Sequence, residues 1–193
     1  QSGMSLLEMS HRSVQVVDLF EETTNNIIEL LNIPKNYSVL WLQGGASLQF
    51  SMVPMNLLPL AGSADYIDTG SWSAKAITEC EKFGKANVIG SSKDSTYSYI
   101  PKDLQISSNS SYLHITSNNT IYGTQYNNFP KINNDNTFLV ADMSSDILSK
   151  TIDISKFGLI YAGAQKNIGP AGVTLVIIRS DLLELKYRDI PTM

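Results

Sequence analysis

Two apolar segments joined by a glycine-rich turn constrain the fold of this chain more than any other part of the sequence. Residues 159–162 (LIYA) and 173–178 (VTLVII) read as buried strands, and the turn between them carries Lys166. Glycine and proline at positions 163, 169, 170 and 172 predict a stiff turn around this lysine rather than a helix. An amine held there, short of water, can lose its proton more readily and act as a nucleophile at neutral pH. The residues of this stretch alone also fit an ordinary lysine in a surface turn.

Short apolar segments alternate with helical patterns along the rest of the chain. Further strands are predicted at 39–42, 64–68, 87–89, 112–116 and 138–141, and helices at 13–31, 46–57 and 71–83. This alternation predicts one α/β domain built on a mostly parallel sheet with helices on both faces. The chain has 193 residues, 42% of them hydrophobic, and can therefore bury a sizeable core.

The first predicted helix is amphipathic. Ser13 is its predicted N-cap, and Pro34 follows its end. The apolar side chains predicted to share one face are Val17, Phe20, Ile27, Ile28 and Leu31. We therefore expect this face to pack on the sheet.

Five chemically useful side chains follow the predicted strands, at or just past the points where the strands end. They are Ser47, Trp72, Thr120, Asp142 and Lys166. In open α/β sheets, ligands bind beyond the carboxyl ends of the strands. The sequence therefore predicts that these side chains converge on one ligand site at one edge of one sheet.

Three of these residues also have plainer interpretations. Asp142 closes an apolar strand and could face a ligand, but Ser144 and Ser145 follow it, so it could equally cap the next element. The glycine pair before Ser47 precedes a helix whose free N–H groups could hold an anion, although most such turns bind nothing. No Walker sequence follows this turn. A tryptophan that begins a helix, such as Trp72, is commonly part of the core.

Composition excludes several classes of protein. A net charge of -4 gives no basic surface for nucleic acid. No apolar run approaches the roughly 20 residues of a membrane span. Cys80 has no second cysteine for an intrachain disulfide, which predicts a reducing, cytoplasmic location. No cluster has metal-ligand spacing, and His114, inside a predicted strand, is interpreted as a core histidine.

Several motifs carry a resemblance to a known family, and they cover the chain from about Glu8 to its end. They are SHR at 10–12, GGASLQF at 44–50, DYIDTGSW at 65–72, VADMSS at 140–145 and AGAQKNIGPAG at 162–172. In this order and spacing they resemble the phosphoserine aminotransferases, class-V enzymes of the fold-type-I group that depend on pyridoxal phosphate (PLP). The resemblance implies a seven-stranded sheet. It further implies that residues 1–193 are the PLP-binding large domain, a fragment without the family's N-terminal segment and C-terminal small domain.

The resemblance also assigns the contacts of PLP. The implied cofactor-binding residues are Ala46, Ser47, Trp72, Thr120, Asp142, Gln165 and Lys166. Lys166 would be the catalytic residue, bonded to the cofactor and later moving a proton, and Asp142 would face the pyridine nitrogen. His11 and Arg12 would bind the phosphate of the substrate. Many members of the family carry arginine where this chain has Ser47, so here other groups must contribute to binding the substrate's phosphate.

The implied reaction is amino transfer from L-glutamate to 3-phosphohydroxypyruvate, giving O-phospho-L-serine and 2-oxoglutarate. It serves L-serine biosynthesis, with pyridoxine biosynthesis as a second pathway, and the enzymes are homodimers that act on small molecules rather than on nucleic acid or membranes. One alternative is another fold-type-I PLP enzyme, such as a serine–glyoxylate aminotransferase or a cysteine desulfurase. A second alternative is an inactive truncated piece, because the family's partner-subunit contacts and its arginine for the substrate carboxylate would lie beyond Met193.

Overall fold

A seven-stranded sheet forms the centre of the fold in the computed structural model, which describes residues 3–134 and 136–189. In spatial order its strands are β1 (Tyr37–Leu42), β9 (Thr174–Arg179), β8 (Phe157–Gly163), β7 (Phe138–Asp142), β4 (Ser110–Thr116), β2 (Ser63–Asp68) and β3 (Lys85–Ser91). Every strand predicted from the sequence overlaps one of these. The α/β class and the seven-stranded sheet are confirmed.

The directions of the strands explain where side chains gather. Strands β8, β7, β4, β2 and β3 run parallel to one another, whereas β9 is antiparallel to both of its neighbours. Because β9 separates β1 from β8, β1 points in the same direction as the parallel set. The carboxyl ends of all these strands except β9 therefore meet at one edge of the sheet.

Helices cover both faces of the sheet, as predicted. Helix α1 (Val14–Leu31) packs against the face that carries Leu113 and Ile160. Helices α2 (Gly45–Leu57) and α3 (Ser71–Cys80) pack against the opposite face, which carries Tyr66 and Val176. Alternate side chains of each strand thus enter two separate apolar cores.

The contact face of α1 differs from the predicted one. Ile27 and Leu31 are buried as predicted, and Val16 joins them. Three of the predicted face residues are exposed instead: Val17, Phe20 and Ile28. The apolar arc of this helix is wider than the part that touches the sheet, and periodicity alone does not say which part of the arc makes the contact. Ser13 is the N-cap residue, but its hydroxyl donates to the carbonyl of Ser10 rather than capping the helix.

Two local predictions also need correction. Helix α3 ends at Cys80 rather than Phe83, because the chain turns there and the N–H groups of Phe83 and Gly84 both donate to the Cys80 carbonyl. The segment after β4, predicted as a turn at 117–119, contains the short strand β5 (Asn118–Asn119), which pairs with β6 (Thr124–Gln125). Strands of two residues have no periodicity to recognise. The loop of this small hairpin carries Thr120.

The described residues contain neither a membrane-spanning helix nor a group of metal-binding side chains. No helix between residues 3–134 or 136–189 is long and apolar enough to cross a membrane. Within the same ranges, no three histidine, cysteine or acidic side chains are grouped so that they could hold a metal ion.

Candidate active site

A cavity of about 350 Å³ lies at the carboxyl edge of the sheet. It is bordered by the start of α2, the start of α3, the β4–β5 segment, the residues after β7 and the turn between β8 and β9. All seven side chains assigned to a cofactor by the resemblance line it: Ala46, Ser47, Trp72, Thr120, Asp142, Gln165 and Lys166. The predicted convergence is therefore present in the structure.

Asp142 ends β7 and is only 4% exposed. Its Oδ1 accepts hydrogen bonds from the N–H of Ser144 (3.0 Å) and from the Ser144 hydroxyl (2.6 Å). Burial raises the pKa of the Asp142 carboxyl to about 6, while the two bonds from Ser144 and the positive charge of Lys166 act in the opposite direction. The capping interpretation is confirmed, because one oxygen accepts from the following turn. The residue also lines the cavity, and its contact with a ligand there remains a prediction.

Lys166 lies on the cavity wall, but the prediction that it is short of water is wrong. Its side chain is exposed, because the turn between β8 and β9 projects beyond the edge of the sheet. The turn itself is fixed, since the N–H groups of Ile168 and Gly169 both donate to the Ala164 carbonyl. The Nζ of Lys166 donates to Thr120 Oγ1 at 3.3 Å. The amine is thus held by a partner rather than by burial.

The start of α2 presents backbone N–H groups to the cavity. Gly44, the N-cap, has φ +90°, and a Cβ there would lie 2.5 Å from a Leu48 side-chain carbon, so glycine is required. In the described structure no side chain caps this helix end. The first-turn N–H groups beside Ala46 and Ser47 can therefore bind an anion, which the positive end of the helix favours.

Trp72 is half-buried and lines the cavity at the start of α3. Its neighbour Ser73 holds this helix start in place, because the Ser73 hydroxyl accepts from the N–H groups of Thr69 and Gly70, both at 2.9 Å. The same hydroxyl lies 3.0 Å from Asp68 Oδ1. The indole also packs against the core beneath α2 and α3. It is therefore both part of the core and part of the cavity wall.

A hydroxyl that sequence reasoning missed lies in this cavity. Thr116, the last residue of β4, is 3% exposed, and its Oγ1 has no hydrogen-bond partner among the described residues. It pairs in register with Asp142 on the neighbouring strand, so the two side chains point to the same side of the sheet. A buried hydroxyl without a partner costs free energy unless a ligand satisfies it. The only signal in the sequence was its position at the end of a predicted strand.

His11 and Arg12 do not line the cavity. Both precede α1 and are exposed, and the N–H of Arg12 donates to the Ser10 hydroxyl. The structure therefore does not bring this pair together with the other predicted residues within the chain. Their role in binding the substrate remains a prediction.

His114 is a core residue, as interpreted from the sequence. It is 1% exposed in β4, and one ring nitrogen, Nε2, lies 2.9 Å from the hydroxyl of Tyr161. Its Nδ1 has no partner in the described residues. Burial lowers the pKa of this imidazole from 6.5 to about 3, so the ring is neutral at physiological pH.

Comparisons with known proteins agree on one family. The family model described as aminotransferase class-V matches residues 2–187. The phosphoserine aminotransferase of Desulfatibacillum aliphaticivorans is 56% identical over 193 residues, which are the whole of this chain and 53% of that protein. This chain thus spans about half the length of the curated relatives it matches.

Solved structures show the same similarity. A phosphoserine aminotransferase studied for radiation damage of its Schiff base superposes with a TM-score of 0.93 at 53% identity, covering 97% of this chain and 52% of that one. The PLP-bound phosphoserine aminotransferase of Trichomonas vaginalis superposes with a TM-score of 0.89 at 36% identity, covering 99% of this chain and 54% of that one.

Proposed function

This chain belongs to the class-V aminotransferases, and from that premise we propose that the protein is a PLP-dependent phosphoserine aminotransferase. It transfers the amino group of L-glutamate to 3-phosphohydroxypyruvate, giving O-phospho-L-serine and 2-oxoglutarate for L-serine biosynthesis. The observation that carries this proposal is the cavity that brings Lys166, Asp142, Trp72 and the start of α2 together. The names of relatives at 56% and 53% identity support the choice of substrate.

The residues of the cavity fit PLP group by group. The start of α2, at Ala46 and Ser47, suits the phosphate, and the indole of Trp72 suits one face of the pyridine ring. The Asp142 carboxylate suits the ring nitrogen, and the free hydroxyl of Thr116 offers an additional donor. Bound PLP supplies an electron-accepting ring that stabilises negative charge at the substrate Cα.

Each protein group has a defined role in this reaction. With the cofactor bound, Lys166 Nζ would hold it through its aldehyde carbon, and the same amine would accept the proton from the substrate Cα as a general base. Thr120 Oγ1, 3.3 Å from that nitrogen, positions the amine. Asp142, with a pKa of about 6, is mostly ionised at neutral pH, so its negative charge would favour the protonated form of the ring nitrogen of bound PLP.

The first test is an absorbance titration with PLP, followed by borohydride trapping and peptide mass mapping. We expect the adduct on Lys166 and its loss in Lys166→Ala, which should also show no appreciable multi-turnover rate. Lys156→Ala is the control, because Lys156 is an exposed lysine at the opposite end of β8. Labelling spread over surface lysines, or steady turnover by Lys166→Ala, would contradict the proposal.

Substrate preference separates this function from the alternative of another fold-type-I enzyme. Ser47 places no positive charge on the cavity wall, so the substrate phosphate has to be recognised by other groups, and His11 with Arg12 are the proposed ones. A phosphoserine aminotransferase should prefer 3-phosphohydroxypyruvate strongly over hydroxypyruvate. Equal rates with both oxo acids would favour the alternative.

The remaining parts of the proposal concern the whole protein. We propose that residues 1–193 form the PLP-binding large domain and that the enzyme is a cytoplasmic homodimer. Cys80 is buried and free, as expected of a protein in a reducing compartment. Sedimentation of the whole protein tests the dimer, and a monomer that remains fully active would exclude it.

A further inference from the structure

Ser144 lines the cavity and contacts two different strands, but it is not among the residues assigned to the cofactor. Its hydroxyl lies 2.6 Å from Asp142 Oδ1 and 3.0 Å from the backbone nitrogen of Gly163, the last residue of β8. Gly163 begins the turn that carries Lys166. One hydroxyl thus joins the end of β7 to the end of β8.

The direction of the proton in this contact follows from valence. The N–H of Gly163 can only donate, so the Ser144 oxygen accepts there. A serine hydroxyl has a single proton, which is therefore free to point at Asp142 Oδ1. The backbone N–H of Ser144 donates to the same oxygen at 3.0 Å.

The two carboxylate oxygens of Asp142 are consequently not equivalent. Oδ1 accepts two hydrogen bonds from Ser144, whereas Oδ2 accepts none from the described part of the chain. The residue lines the cavity. Donors that bind the ionised carboxylate also oppose the effect of burial on its proton affinity.

We propose that Ser144 is a positioning residue of the cofactor site: its hydroxyl ties Asp142 Oδ1 to the end of β8 and leaves Oδ2 as the oxygen offered to the ligand. This inference rests on the proposed function for the identity of the ligand, but not for the contact itself. A purely structural hydroxyl would contribute to folding and leave the titration of Asp142 unchanged.

The experiment uses the whole protein that contains this chain, first without PLP. Carbon-13 NMR follows the Asp142 carboxyl as pH is varied, with Asp142→Asn to assign the signal. Ser144→Ala should raise the midpoint by about one pH unit, because a donor to the ionised form is lost. Ser144→Thr keeps the hydroxyl and should restore the midpoint, and the weakly donating thiol of Ser144→Cys should give an intermediate value.

The matched control is Ser149→Ala, which removes a part-buried hydroxyl bonded to the Asp146 carbonyl instead. It should leave the Asp142 midpoint where it is. PLP is then titrated at pH 8, where we expect about tenfold weaker binding by Ser144→Ala and recovery in Ser144→Thr.

The outcomes separate this inference from the proposed function. A wild-type protein that does not bind PLP overturns the proposed function, while the carboxyl titration still decides whether Ser144 controls Asp142. An unchanged midpoint in Ser144→Ala, or an equal shift in Ser149→Ala, overturns the positioning role. If Ser144→Ala does not fold, the Asp142 midpoints of Ser144→Cys and Ser144→Thr are compared instead. Equal midpoints in these two variants overturn the positioning role.

Discussion

Asp142 shows how a single residue can reduce the stability of the fold. Its folded pKa of about 6 lies above its ordinary value of 3.8, so the folded chain retains a proton that the unfolded chain has already lost. Between these two values the unfolded state binds fewer protons, and stability therefore falls as pH rises. Above about pH 6 the protein carries the full cost of a buried carboxylate.

Replacing this carboxyl should therefore stabilise the protein while harming the site. We expect Asp142→Asn without cofactor to be more stable than wild type by up to about 3 kcal/mol at pH 8, with the gain vanishing near pH 4. PLP binding should weaken at the same time. Urea unfolding at several pH values measures this, with the exposed Asp18→Asn as control. A variant less stable than wild type at pH 8 would contradict it.

His114 makes the stability of the fold depend on pH in the opposite direction to Asp142. Its pKa is lowered from 6.5 to about 3, so between those values the unfolded chain binds a proton that the folded chain rejects. Its contribution to stability is therefore lost as pH falls through this window. Between about pH 4 and 6, the effects of Asp142 and His114 on the free energy of unfolding offset each other. Asp142→Asn removes one of these effects, so this variant should lose stability more steeply than wild type as the pH falls.

At the scale of residues, the sequence indicates which side chains converge but not which hydrogen-bond partners each of them has. Asp142 and Lys166 could be chosen because each follows an apolar strand. The unpaired hydroxyl of Thr116 and the two-sided contact of Ser144 depend on the register of β4, β7 and β8, which no local pattern contains. The exposure of Lys166 was likewise set by how far its turn extends beyond the sheet.

Helix α2 places its positive N-terminal end at the cavity. A substitution there can therefore change the stability of the fold and the affinity for PLP in different directions. Ser47 is the third residue of the helix, where a negative charge favours the helix by about 0.3–1 kcal/mol. Ser47→Asp should therefore leave the melting temperature unchanged or slightly raised, but weaken PLP binding at least tenfold by repelling its phosphate.

Thermal unfolding without cofactor and a PLP titration measure the two effects of Ser47→Asp. Ser47→Asn has the same shape without the charge and should lose much less affinity. Equal losses in the two variants would mean that the charge at the start of α2 does not face the phosphate.

The entry into α3 depends on one glycine. Gly70 has φ +154° and ψ −170°, a region essentially restricted to glycine, and a Cβ there would lie 2.5 Å from Asn119 Oδ1. We expect Gly70→Ala to cost about 1–3 kcal/mol and to weaken PLP binding, since Trp72 lies only two residues further along the chain. Gly169→Ala is the control, because no heavy atom lies within 4 Å of its added Cβ. Urea unfolding that shows equal stability of the two variants would contradict this.

At the scale of elements, helices and strands were predictable where their periodicity spans several residues. The start and end of α2 match the prediction within a residue, despite Pro54 in its interior. The contact face of α1 and the two-residue strands β5 and β6 were not predictable, because the first depends on where the helix meets the sheet and the second is too short to show a pattern.

The whole molecule forms the site only when the sheet is complete, since the cavity is bordered by segments that follow β1, β2, β4, β7 and β8. A ligand that binds only the folded state stabilises it, by about 2.7 kcal/mol at a free concentration of 100 times Kd. We expect PLP to raise the free energy of unfolding by this amount. Pyridoxal, which lacks the phosphate, should give a much smaller gain at the same concentration, and equal stabilisation by both would show that the start of α2 does not contribute.

The order of the strands was beyond sequence reasoning at this scale. The alternation of segments predicts a mostly parallel sheet, and four of its strand pairs are parallel. That β9 is reversed and inserted between β8 and β1 follows from packing over the whole chain rather than from the residues of β9, whose apolar run would suit either direction.

The reversed direction of β9 also limits which changes of length the chain can tolerate. The turn after β8 has to leave the sheet and return to the adjacent strand with Gly163 opposite Thr174. An insertion or deletion between these positions can displace the amine of Lys166 relative to Asp142, even when every side chain is kept. Alternatively, it shifts the register of β9, and a shift of one residue moves the side chains of β9 to the opposite face of the sheet. Between residues 164 and 173, the number of residues is itself part of the site.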